Sequence, residues 1–323
     1  MHIEGIHFVV NNQGKRVAVQ IDLNKHRDLW DEFYFQWILM KWWQELDRYW
    51  KATLREAIRL DEDEPSVQDL MTIAGLRSLR LTYPDMDDLR PVAVLEELED
   101  LIIAHTAITD LSPLSNLPHL YHLDLMHTRV ESIEPLRNLR GLHELYLHHT
   151  RVKDLSPLTQ MPQLQILAIG ETEIEDIGAL AHTRRLQKLF AARCQVKDLT
   201  PLQYCEKLEV LNLKYTPVSD ILPLKKLRNI EELYIQGTQV ADLEPLRGKP
   251  YLQELGISHT PVKTLAPIWN LRSLRTLYCY HTQVPQEEIE RFKEEHPRCK
   301  VVEIAMETAE LQIENEDYSD KKS

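Results

Sequence analysis

Residues 142–158 read LHELYLHHTRVKDLSPL, and the fold turns on this string. The same order of side chains returns 22 residues before it and 22 residues after it. Leu76, Leu98, Leu120, Leu142, Leu164, Leu186, Leu208, Ile230, Leu252 and Leu274 stand at that interval. Each opens the pattern L-x-x-L-x-L-x-x-T-x-V-x-D-L-x-P-L, with local substitutions. A fixed period of this length marks a stacked array: one unit cannot bury its own leucines, and neighbours share a continuous core. Within a unit, Leu145 and Leu147 alternate with Glu144, Tyr146 and His148, the period of a strand with one buried face. Asp154 offers a side-chain acceptor just ahead of a helical turn. Pro157 falls early in that turn, where a missing N–H costs least.

These residues resemble the leucine-rich repeat proteins, most closely the bacterial internalin-like class with its 22-residue unit, over residues 67–300. The resemblance implies an α/β repeat fold, a right-handed solenoid. Each L-x-x-L-x-L segment would add a strand to a curved parallel sheet on the concave face, and each D-L-x-P-L segment a short 3₁₀ turn on the convex side. The chain departs from the family pattern in one consistent way. Where many leucine-rich repeats place Asn to bond the neighbouring turn, it has Thr106, Thr128, Thr150, Thr172, Thr216, Thr238, Thr260 and Thr282, with Cys194 in the sixth unit. A hydroxyl both donates and accepts, so a threonine ladder is expected to satisfy those backbones instead.

Ten units occupy residues 76–285, after a linker or partial first repeat at 61–75. A stacked array needs a cap at each end. Residues 286–306 read as the C-terminal one, with a helix from Gln286 to Glu295 that places Ile289 and Phe292 on one face. Residues 307–323 are acidic and polar and read as a disordered tail. Residues 1–60 are not repeat. Ile6, Phe8 and Val10 alternate, Asn11 to Lys15 forms a turn, and Val17, Val19, Ile21 and Leu23 alternate again, which predicts a β-hairpin. One long helix is expected from about Asn24 to Leu60. It carries five of the six tryptophans: Trp30, Trp37, Trp42, Trp43 and Trp50. At about 100° per residue Trp37, Trp42 and Trp43 point three ways, so they cannot all cover the first repeat. This module reads as a cap, with residues 30–50 as a surface for self-association or for a partner.

The 323 residues include 38 Lys and Arg against 51 Asp and Glu, a net charge of -13. That balance argues against nucleic acid, whose phosphates need clustered positive charge. No GxGxxG or GxxxxGK[ST] string is present, so no dinucleotide or P-loop site is expected. Cys194, Cys205, Cys279 and Cys299 show no CxxC spacing and read as free thiols. The N-terminus lacks a signal-peptide pattern and no apolar run is long enough to span a membrane, so a cytoplasmic protein is expected.

For chemistry the sequence offers no nucleophile on a glycine elbow, no HExxH and no carboxylate pair outside the repeat register. The reading is non-enzymatic, with no cofactor and no metal. For binding it offers the concave face. Tyr146, Phe190, Tyr234 and Tyr278 share the fifth position of their units, with Tyr215 and Tyr280 close by, and aromatics dominate interface hot spots. His105, His127 and His149 share the eighth position of three consecutive units beside His148, a ladder open to a metal, a pH-sensitive or a plain surface reading. The expected function is a scaffold that binds a protein partner in the concave face. The alternatives are a surface adhesin like the internalins and a regulatory, antitoxin-like protein whose N-terminal module pairs with a toxin or DNA, because the hairpin string FVVNNQGKRVAVQIDL resembles the N-terminal strands of Phd/YefM-type antitoxins.

Overall fold

A computed structural model describes residues 6–10, 16–21 and 27–303, with side chains from Tyr34 onward. The predicted hairpin is present: β1 (Ile6–Val10) pairs antiparallel with β2 (Arg16–Ile21), with Ile6 opposite Ile21 and Phe8 opposite Val19. The turn expected at Asn11 to Lys15, the strand residue Leu23, and the tail at 307–323 lie outside the described residues.

The single long helix is in fact two. α1 runs Arg27–Glu45 and α2 Arg48–Ala57, because the Asp47 carboxylate turns back to accept the Trp50 N–H at 2.9 Å and starts a new helix. The stretch read as linker holds a third helix, α3 (Val67–Ala74). Ser66 and Asp69 open it with a reciprocal capping box. α3 packs on α1, and Leu39, Trp43, Trp50 and Leu54 join Leu70, Ile73 and Leu79 in one core. Two indole N–H groups fasten the module: Trp50 donates to the Asp88 carbonyl at 2.8 Å and Trp43 to Glu64 at 3.0 Å.

The repeats form the expected sheet. Strands β3 to β12, three residues each, begin at Ser78, Asp100, His122, Glu144, Ile166, Lys188, Val210, Glu232, Glu254 and Thr276. They pair in parallel and in chain order, and β13 (Lys300–Val302) adds an eleventh strand after β12. The central leucines stand in register, Leu145 opposite Leu167 and Leu211 opposite Leu233. All four are fully buried.

On the convex side each of the first nine units turns through a short 3₁₀ segment. The repeated aspartates cap these segments as expected. Asp110, Asp154, Asp176, Asp198, Asp220 and Asp242 each accept the N–H two residues on, at 2.6–2.8 Å. The threonines work differently from the expectation. Thr150 Oγ1 donates to the Leu147 carbonyl of its own unit at 2.8 Å, and Thr106, Thr128, Thr216 and Thr238 do likewise. These hydroxyls close their own turns. Cys194 does reach across, its thiol donating to the Ile169 carbonyl at 3.0 Å.

The helix read at the C-terminal end is present. α4 (Gln286–Glu295) buries Ile289 and Phe292, with Trp269 edge-on to the Phe292 ring at 5.4 Å.

One core position is anomalous. Lys249 stands where other units place Leu117, Leu139, Met161 or Leu271. It is buried, and its ammonium donates to the carbonyls of Leu224, Lys225 and Leu227. Burial pushes its pKa down from the ordinary 10.5 to about 8, with nearby Arg228 acting in the same direction. Between those two values the unfolded chain holds a proton that the folded chain has lost, so the Lys249 contribution to stability rises with pH. Lys249→Leu is expected to remove that rise. Urea unfolding of both proteins at steps from pH 7.5 to 10.5 would show the difference between them shrinking as pH increases, and a constant difference would refute it.

Candidate protein-binding face

Side chains at the third, fifth and seventh positions of each unit leave the concave side of the sheet, because the central leucine of each strand points into the core. The middle of this face is apolar. Met126, Tyr146, Ala168, Phe190 and Val210 pack into a cluster separate from the leucine core, flanked by Ala104 and Ile166. Ala168 stands in register between Tyr146 and Phe190 and belongs to the same cluster.

Burial here differs from the sequence reading, which took the fifth-position aromatics as having no core to fill. Tyr146 and Phe190 are only 9% and 5% exposed, and Tyr280 is 9% exposed. Tyr234 and Tyr278 are half-buried, and of the named aromatics only Tyr215 is exposed. Strands about 4.8 Å apart bring like positions within contact, so neighbouring units supply a small core on the surface of the sheet. Burial and the adjacent Glu144 carboxylate hold the Tyr146 hydroxyl well above the usual phenol range.

Charge divides the face into three. Asp100, Asp124 and Glu144 lie toward the N-terminal end, with His122 Nδ1 against Asp100 at 2.5 Å. The central units bring Lys188, Arg193 and Lys214. The C-terminal units bring Glu232 and Glu254, which share the Tyr234 hydroxyl at 3.0 and 2.7 Å.

The eighth-position histidines mark the rim. His105, His127 and His149 are exposed and stack ring on ring, with centroids 4.4 and 4.1 Å apart. The column continues through Glu171, 3.3 Å from His149, then Arg193, which lies over the Tyr215 ring. His259 and His281 stack near its far end at 4.7 Å. All these residues adopt left-handed backbone, φ 54° to 63°. At Gly237, φ 68°, a Cβ would strike the Tyr215 ring, so glycine lets that ring lie flat. His148 stands one position inward, its imidazole filling the space over Gly170. Among the described residues no group of three or more His, Cys, Asp or Glu is placed to hold a metal.

The tryptophans of the N-terminal module do diverge. Trp43 and Trp50 are buried, Trp42 is half-buried, and Trp37 is 49% exposed beside Tyr34, Phe35 and Met40. The Trp30 side chain lies outside the described ones. Among the described residues no helix is long and apolar enough to cross a membrane.

The family model for leucine-rich repeats in two copies matches residues 96–138. No curated protein matches the chain in sequence. Among solved structures, an internalin of Listeria monocytogenes, InlF, superposes with a TM-score of 0.67 at 22% identity, over 79% of this chain and 88% of its own. Internalin C2 of the same organism gives 0.60 at 29% identity, over 64% and 91%. A leucine-rich repeat protein of Leptospira interrogans gives 0.65 at 18%, over 72% and 68%. The 22-residue period, the eleven-stranded parallel sheet with its short 3₁₀ turns, and these likenesses together give the chain a leucine-rich repeat fold, a solenoid with an internalin-like array.

Proposed function

We propose that the chain is a non-enzymatic scaffold that binds a protein partner in the concave face of its repeats. The observation that carries this reading is the apolar cluster from Met126 to Val210 set between acidic and basic flanks. An apolar centre with a polar rim is the anatomy of a protein interface. The array supplies a broad surface, which suits a folded partner better than a small molecule. The thiols of Cys194, Cys205 and Cys279 are buried and unpaired, in keeping with the cytoplasmic compartment taken in this reading. The adhesin and antitoxin-like alternatives draw no comparable support from any side chain described above.

The test is capture from the native host, followed by titration of the purified partner. Tyr215→Ala and Phe190→Ala are expected to weaken binding by about 2 kcal/mol, roughly 30-fold, while the exposed convex residues Tyr204 and Tyr251 tolerate the same change. Equal losses on both faces, or losses only at Tyr204 and Tyr251, would reject the concave site. A second reading, self-association through residues 30–50, is favoured by the exposed row Tyr34, Phe35, Trp37 and Met40. Sedimentation of the wild type alongside Trp37→Glu decides it: a wild-type dimer that becomes a monomer supports the surface, and two monomers reject it.

A further inference from the structure

The C-terminal part of the concave face contains an acidic site that is short of hydrogen-bond donors. β10 and β11 run in register, with Glu232 opposite Glu254 and Tyr234 opposite Gly256. Like charges directly opposite each other on neighbouring strands work against folding. Tyr234 Oη lies 3.0 Å from Glu232 Oε2 and 2.7 Å from Glu254 Oε2. A phenol carries one proton and serves one carboxylate at a time, so the second contact lacks a donor. Among the described residues neither carboxylate has an ion-pair partner. Lys214 sits over the Tyr234 ring, 5.1 Å from its centroid.

A second observation is independent of the carboxylates. Gly256 stands between Tyr234 and Tyr278 in the fifth column, so a side chain is missing between two tyrosines about 10 Å apart. Gln236 folds into that gap, since a Cβ on Gly256 would strike its amide. Gln236 is 7% exposed and its Oε1 has no donor. Beside it in the seventh column, Ser258 is fully buried and its hydroxyl has no partner either. A buried acceptor without a donor is costly to keep, and here two orphaned polar groups lie beside the gap in the fifth column, in the same two repeat units that carry the carboxylates.

We infer that this acidic site receives an arginine side chain of the protein partner. A guanidinium is planar and carries five N–H donors in a fork, enough to bridge two carboxylates and still reach the amide oxygen beneath. A lysine ammonium is a compact point charge and cannot span the pair in the same way. The inference rests on the concave-face reading and names the group that face recognises.

The full-length chain, titrated with acetyl-Gly-Arg-Gly-amide and followed by NMR, gives the test. The Gln236 side-chain amide and the Tyr234 ring signals are expected to shift and saturate at about millimolar peptide, as one side chain of this size allows. Acetyl-Gly-Lys-Gly-amide should bind about tenfold more weakly. The double variant Glu232→Gln, Glu254→Gln should lose the response yet resist urea at least as well as wild type, because the like-charge pair is gone. No saturable shift, an equal response to lysine, or an undiminished response in the double variant would each overturn the inference. If the peptide fails while Phe190→Ala and Tyr215→Ala still release the partner, the arginine site falls and the concave face stands.

Discussion

Trp50→Ala is expected to destabilise the protein by about 3–5 kcal/mol and to loosen the repeat array from its N-terminal end. The indole is 1% exposed and its N–H reaches the Asp88 carbonyl, in the loop that leads into the first 3₁₀ turn. Truncation therefore opens a cavity, leaves that carbonyl without its donor, and frees the edge of β3 that the helices cover. Hydrogen exchange should quicken first in β3 and β4 and reach β9 only at higher urea. An unchanged urea midpoint would show that the module rides on the solenoid without holding it.

Leu211→Ala is the corresponding experiment at the centre. Leu211 is fully buried, in register between Leu189 and Leu233, and its loss should cost about 2–5 kcal/mol. Because each unit is stable only through its neighbours, faster exchange is expected on both sides of β9 and not in that unit alone. A strictly local effect would mean that the units fold independently of one another.

The array itself is legible in the sequence because every unit repeats the same local choices. The Asp154 acceptor, the proline of the turn and the paired leucines each need only near neighbours to act, and their return at a 22-residue period makes them unmistakable. What was missed depends on contacts the period does not encode. Asp47 and the Ser66–Asp69 pair each open a helix. Asp47 was hidden by aromatic periodicity on both sides of it, and Ser66 by the acidic run before it. The cluster that buries Tyr146 and Phe190 includes Ala168 between them, a relation across 22 residues that has meaning only once strands are in register. The arginine site is of the same kind. Glu232, Glu254 and Gly256 are unremarkable in the chain and acquire chemistry only as strand neighbours. Trp37, by contrast, could be singled out early as one of three divergent tryptophans, and it is the exposed one.

The left-handed rim has a consequence for how this protein could change. Eight of its turn residues, among them His127, Glu171, Arg193 and Tyr215, hold a conformation in which a side chain costs about 1 kcal/mol relative to glycine. Summed along the solenoid, that is comparable to the whole stability of an ordinary domain. A lineage selected only for robustness would drift toward glycine or asparagine at these positions, and the stacked column of imidazoles and charges would fade while the leucine core stayed intact. The rim is thus where selection for a specific surface and selection for a durable fold pull in opposite directions.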